Sequence, residues 1–148
     1  DGKTRHWGVS NLDSDDMNEL EAIGSRTGTP AVNQVLYNLM RRGIEFDLLP
    51  WCRARGIPIM AYSPLEQSRL SKHRALGAIA GRLGRTPSQI ALAWVLRQPD
   101  VMAIPKAGRV EHVRENRAAI DVSLTPEDIA ELDDAFSPPV RKRPLEMI

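Results

Sequence analysis

Ile57-Pro58-Ile59-Met60-Ala61-Tyr62 is a nearly uninterrupted apolar run, entered from Gly56 and left through Ser63-Pro64. A strand wetted on one face alternates apolar and polar residues, whereas one that is apolar throughout belongs to a parallel sheet covered on both faces. Three further runs read as strands: Arg5-His6-Trp7-Gly8-Val9-Ser10, Ala31-Val32-Asn33-Gln34-Val35 and Val101-Met102-Ala103-Ile104. Everything between them has helical character. A helix starts near Asp13, where Asp13, Asp15 and Asp16 meet the positive end of the helix dipole, and Thr27-Gly28-Thr29-Pro30 closes it. A second runs from about Phe46 to Arg55, with Pro50 near its first turn and Gly56 at its end. Arg74–Leu83 and Pro87–Gln98 follow, the latter opened by Thr86-Pro87-Ser88-Gln89, a capping box. Two more span about Arg109–Ala119 and the stretch after Thr125-Pro126, which carries Ile129, Leu132 and Phe136 at helical spacing. Past Pro138-Pro139 the chain reads as extended.

Strands separated by helices cannot be hairpin partners, so the sheet is expected to be parallel and the fold class α/β. A complete (β/α)8 barrel takes about 250 residues, and this chain has 148. Residues 1–137 therefore make either an open four-stranded sheet or half of a barrel, with 138–148 as a C-terminal tail.

The charge balance excludes several classes of partner. Twenty Lys+Arg against 19 Asp+Glu leave a net charge of +1, too little for broad attraction to nucleic acid or an anionic membrane. No twenty-residue apolar stretch exists to span a bilayer. The single cysteine, Cys52, has no internal partner for a disulfide, and the first residues lack the apolar core of a secretory signal, so a reducing, cytoplasmic setting is expected. Arg141-Lys142-Arg143 reads as part of a solvated tail rather than a phosphate patch.

In parallel α/β folds the strand C-termini share one rim, and polar residues there reach ligands. The four strands deliver Ser10-Asn11, Asn33-Gln34, Tyr62-Ser63 and Pro105-Lys106. Amides, hydroxyls, a flat ring and a cation on one rim suit a planar amide-bearing ring attached to phosphates. Singly, each residue has a plainer reading as turn former, backbone partner or core aromatic.

Taken in order, Gly8-Val9-Ser10-Asn11, Asn33-Gln34-Val35-Leu36-Tyr37-Asn38, Ala61-Tyr62-Ser63-Pro64-Leu65 and Ile104-Pro105-Lys106 followed by Glu115-Asn116 resemble successive signatures of the aldo-keto reductases. The resemblance runs from about Trp7 to Phe136 and points, within the family, to bacterial reductases of small aldehydes such as methylglyoxal. It implies the C-terminal half of a TIM (β/α)8 barrel, binding NADP(H) for hydride transfer to a small aldehyde or ketone. Ser10, Asn11 and Gln34 match positions that hydrogen-bond the nicotinamide carboxamide, and Tyr62 matches the ring that stacks on the nicotinamide. Ser63 and Leu65 match the loop over the pyrophosphate, Lys106 the cation facing the 2′-phosphate, and Glu115 and Asn116 the adenine contacts. Two departures weaken the 2′-phosphate pocket: Ala107 stands where many members have Ser or Thr, and His112 where many have Arg, which leaves NAD(H) acceptance open.

The resemblance also implies an absence. The family's catalytic Asp, Tyr, Lys and His belong to the first half of the barrel, and none has a counterpart here, so no catalytic residue is assigned and the chain alone is expected to be inactive. The expected partners are a small carbonyl substrate and either the missing N-terminal half-barrel or a second copy joined through exposed strand edges. A non-enzymatic half-barrel that self-associates and binds dinucleotide weakly or not at all is the competing reading.

Other motifs dissolve on inspection. Ala78–Ile90 superficially resembles a helix-turn-helix, but its second helix continues Ile90-Ala91-Leu92-Ala93-Trp94-Val95-Leu96, apolar on every face, as a buried helix must be. No G-x-G-x-x-G or Walker loop is present, and Asp13-Ser14-Asp15-Asp16 lacks the glycine and distal glutamate of a calcium loop. No metal site is expected. Cys52 and Trp94 read as core, His6 and His73 as structural or surface residues, and Trp7 as either core or substrate mouth.

Overall fold

The computed structural model describes residues 3–24 and 28–148. Four strands, β1 (Val9–Ser10), β2 (Asn33–Leu36), β3 (Ile59–Tyr62) and β4 (Val101–Ala103), pair in parallel in the order β1-β2-β3-β4. The helices are α1 (Ser14–Ile23), α2 (Leu48–Ala54), α3 (Arg74–Leu83), α4 (Pro87–Leu96), α5 (Val110–Ala118) and α6 (Pro126–Ala135). Thr27, expected to help close the first helix, lies outside the described residues, as do Asp1 and Gly2.

The strictly sequential strand order decides the architecture. Parallel crossovers are right-handed, so adding each strand on the same side of the last places every helix on one face of the sheet. A doubly wound sheet covers its second face only by reversing that order once. Side chains agree with the one-faced arrangement. Val35, Ile59 and Ala61 are fully buried and share one core with Met17, Leu48, Cys52, Ile79, Trp94 and Leu132. The alternate positions Ser10, Gln34, Met60 and Met102 form one row across the strands, and there Ser10 and Met102 are exposed while Gln34 and Met60 are half-buried. The apolar Ile57–Tyr62 run predicts two covered faces; within this chain only one is covered. β1 and β4 are the open edges, and the edge helix α5 buries none of its residues, leaving Val110 and Val113 exposed.

Three helix starts follow from their capping residues. Asp13 with Asp16, Thr86 with Gln89 and Thr125 with Asp128 each form a complete capping box, and Pro follows the threonine in the last two. The Asp16 backbone N–H, above all, holds the Asp13 carboxyl below its usual range. Trp94 is fully buried within α4, its ring 5.3 Å from that of Tyr37. That burial removes the helix-turn-helix reading, which needs a solvated second helix.

Strand ends differ from the sequence reading. β1 keeps only Val9–Ser10 of the expected six residues, with one additional bond from Ala31 N–H to the Trp7 carbonyl at 2.7 Å. Its single neighbour, β2, offers no ladder further back. The basic tail segment Arg141-Lys142-Arg143 is exposed, as expected, and the tail is also tied down: Lys142 pairs with Asp15 at 2.7 Å and donates to the Ser14 hydroxyl at 3.0 Å, Glu146 pairs with Arg41 at 2.7 Å, and Leu145 packs on the core.

Gly8 sets the approach of β1 to β2. A Cβ at this position would lie 2.6 Å from Val32 Cγ1 and 2.9 Å from the Val32 carbonyl oxygen. Because one of those atoms is backbone, Gly8→Ala must push the strands apart, and the expected loss is about 1–3 kcal/mol. A urea midpoint unchanged from wild type would show that β1 yields freely.

Candidate functional site

The row across the sheet leads to the C-terminal rim. The Gln34 carbonyl, at the β1 edge of β2, accepts from both the Ser10 hydroxyl at 3.0 Å and the Asn11 backbone N–H at 2.9 Å. This fixes the turn leaving β1, in which Asn11 takes φ of 57°. Asn33 points to the opposite face, fully buried, and its Nδ2 donates to the Leu12 carbonyl at 2.8 Å, holding the same turn from behind. The adjacent pair Asn33-Gln34 thus divides its labour by simple strand alternation.

Three amides on this turn and strand are poorly served: Asn33 Oδ1, on the covered face, and two on the rim side. Asn11 Oδ1 is buried without a hydrogen-bond partner. Gln34 Nε2 donates to the Met60 sulfur at 3.0 Å, a weak acceptor. An external carboxamide would satisfy both, giving its N–H to Asn11 and its oxygen to Gln34, so the residues present fit the nicotinamide end of a dinucleotide. Tyr62 ends β3 on the same rim, half-buried and in register with Leu36.

Beyond Tyr62 the chain forms one wall of a cavity of about 380 Å³, lined by Ser63, Leu65, Gln67, Ser68, Ile104 and Lys106 together with two prolines. Loops from two neighbouring strands therefore bring Ser63, Leu65 and Lys106 together. Lys106 folds back over Gly108, where an added Cβ would sit 3.2 Å from its Nζ. Among the described residues it has no carboxylate partner, and its ammonium is available to an anion.

The α5 residues stand apart from this cavity. His112 is exposed, and Glu115 and Asn116 are half-buried. The Glu115 carboxylate accepts from the Thr86 hydroxyl at 2.6 Å, while Gln89 Nε2 donates to the Glu115 carbonyl at 3.2 Å, so Glu115 also ties α5 to the start of α4. Gln67 and Ser68 line the cavity but were not singled out in the sequence reading. The polar clamp behind them was missed too: Asn38 and Glu66 are buried side chains that hold the loop after β3. Asn38 lies inside a quoted motif, while Glu66 carries no spacing signal.

Other groups are inert or unassembled. Burial pushes the Cys52 thiol up to about 11, which removes it as a nucleophile at neutral pH. Among the described residues no three His, Cys, Asp or Glu side chains gather as metal ligands, and no helix is long and apolar enough to cross a membrane.

Known proteins share this fold. Methylglyoxal reductase YeaE of Escherichia coli is 46% identical over 154 residues, covering 99% of this chain and 53% of its own length. An aldo/keto reductase from Klebsiella pneumoniae, solved with NADP and acetate, superposes with a TM-score of 0.92 at 49% identity, covering 99% of this chain and 53% of that one. An aldo-keto reductase of the same organism solved with NADPH gives the same identity, coverage and TM-score. The chain spans about half the length of these relatives, and its fold is the four-stranded C-terminal half of a TIM barrel. A family model, the aldo/keto reductase family, matches residues 1–136, and the chain belongs to that family.

Proposed function

We propose that this chain is the dinucleotide-binding half of an NADP(H)-dependent oxidoreductase that reduces a small aldehyde or ketone, with methylglyoxal as the first substrate to try. The observation that carries the reading is the shared rim: the unpaired Asn11 amide oxygen and the weakly paired Gln34 amide at one end, Lys106 in a cavity of about 380 Å³ at the other, and Tyr62 between them. When bound, the dinucleotide supplies the hydride that adds to the carbonyl carbon. Asn11, Gln34 and the remaining lone pairs of Ser10 orient the carboxamide, and the Tyr62 ring holds the nicotinamide plane from one side. Ser63 and Leu65 shape the diphosphate wall, and Lys106 meets the 2′-phosphate. His112 replaces a permanent cation, which reduces the preference for the phosphorylated cofactor over NAD(H). Glu115 and Asn116 complete the adenine end.

Nothing among these roles delivers a proton to the carbonyl oxygen. The proton donor belongs to a second four-stranded unit that pairs with the β1 and β4 edges and covers the Ser10–Met102 row. The occupant proposed is the part of such a relative that this chain does not cover, because the match spans only 53% of the relatives' length. A reducing, cytoplasmic setting and a tail beginning at residue 138 belong to the same reading.

Fluorescence titration of the 148-residue chain with NADPH tests it. Saturable binding is expected, and Lys106→Met should weaken it about tenfold, the low end for a charged hydrogen bond at an exposed site. NADH binding should stay within about twofold, a few tenths of a kcal/mol. Equal losses for both cofactors would remove Lys106 from the 2′-phosphate. The competing reading, a self-associating half-barrel without function, predicts a dimer by light scattering and no NADPH signal.

A further inference from the structure

The loop after β3 is strained in a way its sequence does not explain. Ser63, Glu66, Gln67 and Ser68 take φ of 48°, 46°, 52° and 70°, four non-glycine residues in the left-handed region. Each such residue costs about 1 kcal/mol or more, so the shape persists only where surrounding contacts impose it. Those contacts converge on Glu66, whose side chain is 3% exposed. Asn38 Nδ2 donates to the Ser63 carbonyl at 2.9 Å and to Glu66 Oε2 at 2.8 Å. Arg41 donates from Nε at 3.1 Å and Nη2 at 3.0 Å to Glu66 Oε1, and from Nη1 at 2.7 Å to Glu146 Oε1. Asn38 is itself fixed, its Oδ1 accepting from the Met40 N–H at 2.9 Å.

The direction of Glu66 gives this clamp its meaning. Ser63, Leu65, Gln67 and Ser68 line the cavity facing Lys106, and Glu66 does not. A carboxylate in the middle of a loop that faces an anion would repel it. Here it is turned inward, buried and neutralised by Arg41, so the wall keeps hydroxyl and amide groups toward the cavity while the negative charge works behind it.

We propose that Glu66, held by Asn38 and Arg41, is a positioning residue that sets the Ser63–Ser68 loop to accept the diphosphate bridge of the dinucleotide. This rests on the cofactor reading above. The clamp touches neither Asn11 and Gln34 nor Lys106, so its loss falls first on the diphosphate.

The test compares two ligands on the 148-residue chain: NADPH, which carries the diphosphate, and 2′-AMP, which offers only the adenosine and the 2′-phosphate, measured by saturation-transfer NMR. Glu66→Ala should weaken NADPH about tenfold or more, the value of one strained or charged contact near 1.4 kcal/mol, and leave 2′-AMP within about twofold. Glu66→Gln keeps one acceptor and should fall between. Arg41→Met leaves the buried Glu66 carboxylate without its cation, so the charge draws the loop toward solvent, and the variant should reproduce the selective loss even if Glu66→Ala fails to fold. Wild-type affinity for NADPH in both Glu66→Ala and Arg41→Met, or parallel losses for both ligands, overturns the positioning role while the cofactor reading stands. No NADPH binding by the wild-type chain overturns both.

Discussion

Arg42→Met is expected to lower the unfolding free energy by about 3–5 kcal/mol, the loss that follows when one member of a buried charge network is removed and its partner stays. The Arg42 side chain is 6% exposed, and it holds three groups at once. Its Nη2 pairs with Glu45 at 2.8 Å, its Nη1 pairs with Asp133 at 2.7 Å, and the same nitrogen donates to the Phe136 carbonyl. The guanidinium also stacks over Trp94, 4.9 Å from the ring centroid. The turn after β2 is thereby bolted to the end of α6. Without Arg42, Glu45 keeps only the Tyr37 hydroxyl at 2.7 Å, and that phenol, raised above its ordinary range by burial and by Glu45 itself, stays a neutral donor. Domains are stable by about 5–15 kcal/mol in all, so the variant should unfold at much lower urea with an unchanged slope. Adding Glu45→Gln should recover part of the loss by removing the orphaned charge. A loss below about 1 kcal/mol would mean that water already serves Glu45.

Catalytic rescue by a second polypeptide is the other large effect expected. The chain alone should oxidise NADPH with methylglyoxal no faster than buffer. Mixing it with the preceding half of a full-length relative should raise the rate by at least about 10²–10⁴-fold, the usual contribution of a positioned general acid. The gain should saturate as the added half is titrated, and it should disappear when the added half is unfolded beforehand. Robust turnover by the purified chain would refute the assignment of the proton donor to the other half.

Helix positions were legible because their determinants are local. Thr86-Pro87-Ser88-Gln89 and Thr125-Pro126 contain the side chains that cap α4 and α6, and no distant residue is needed to read them. The parallel sheet followed from connection lengths alone. Strand ends were not legible, because a strand lasts only as long as its neighbour: Arg5–Gly8 has the composition of β1 and little ladder to join. The candidate site divided along the same line. Ser10 and Tyr62 end their strands, Lys106 follows β4, and Gln34 pairs with Ser10, so all four were proposed as rim residues from the strand pattern. The loop behind Ser63 was not, since Ser, Glu and Gln carry no signal for left-handed backbone. Its shape depends on Asn38 and Arg41, more than twenty residues away. Lys142 illustrates the limit from the other side: a basic tail segment reads as solvated, which it is, but its pairing with Ser14 and Asp15, some 127 positions earlier, has no local signal.

The sequential order β1-β2-β3-β4 has one more consequence. Eight tilted strands make a cylinder just wide enough for side chains to fill, and four of them are present here. On the reading proposed above, whatever completes the cylinder has to bond to both ends of the sheet at once, and four further strands, on the same polypeptide or another, do so without remainder.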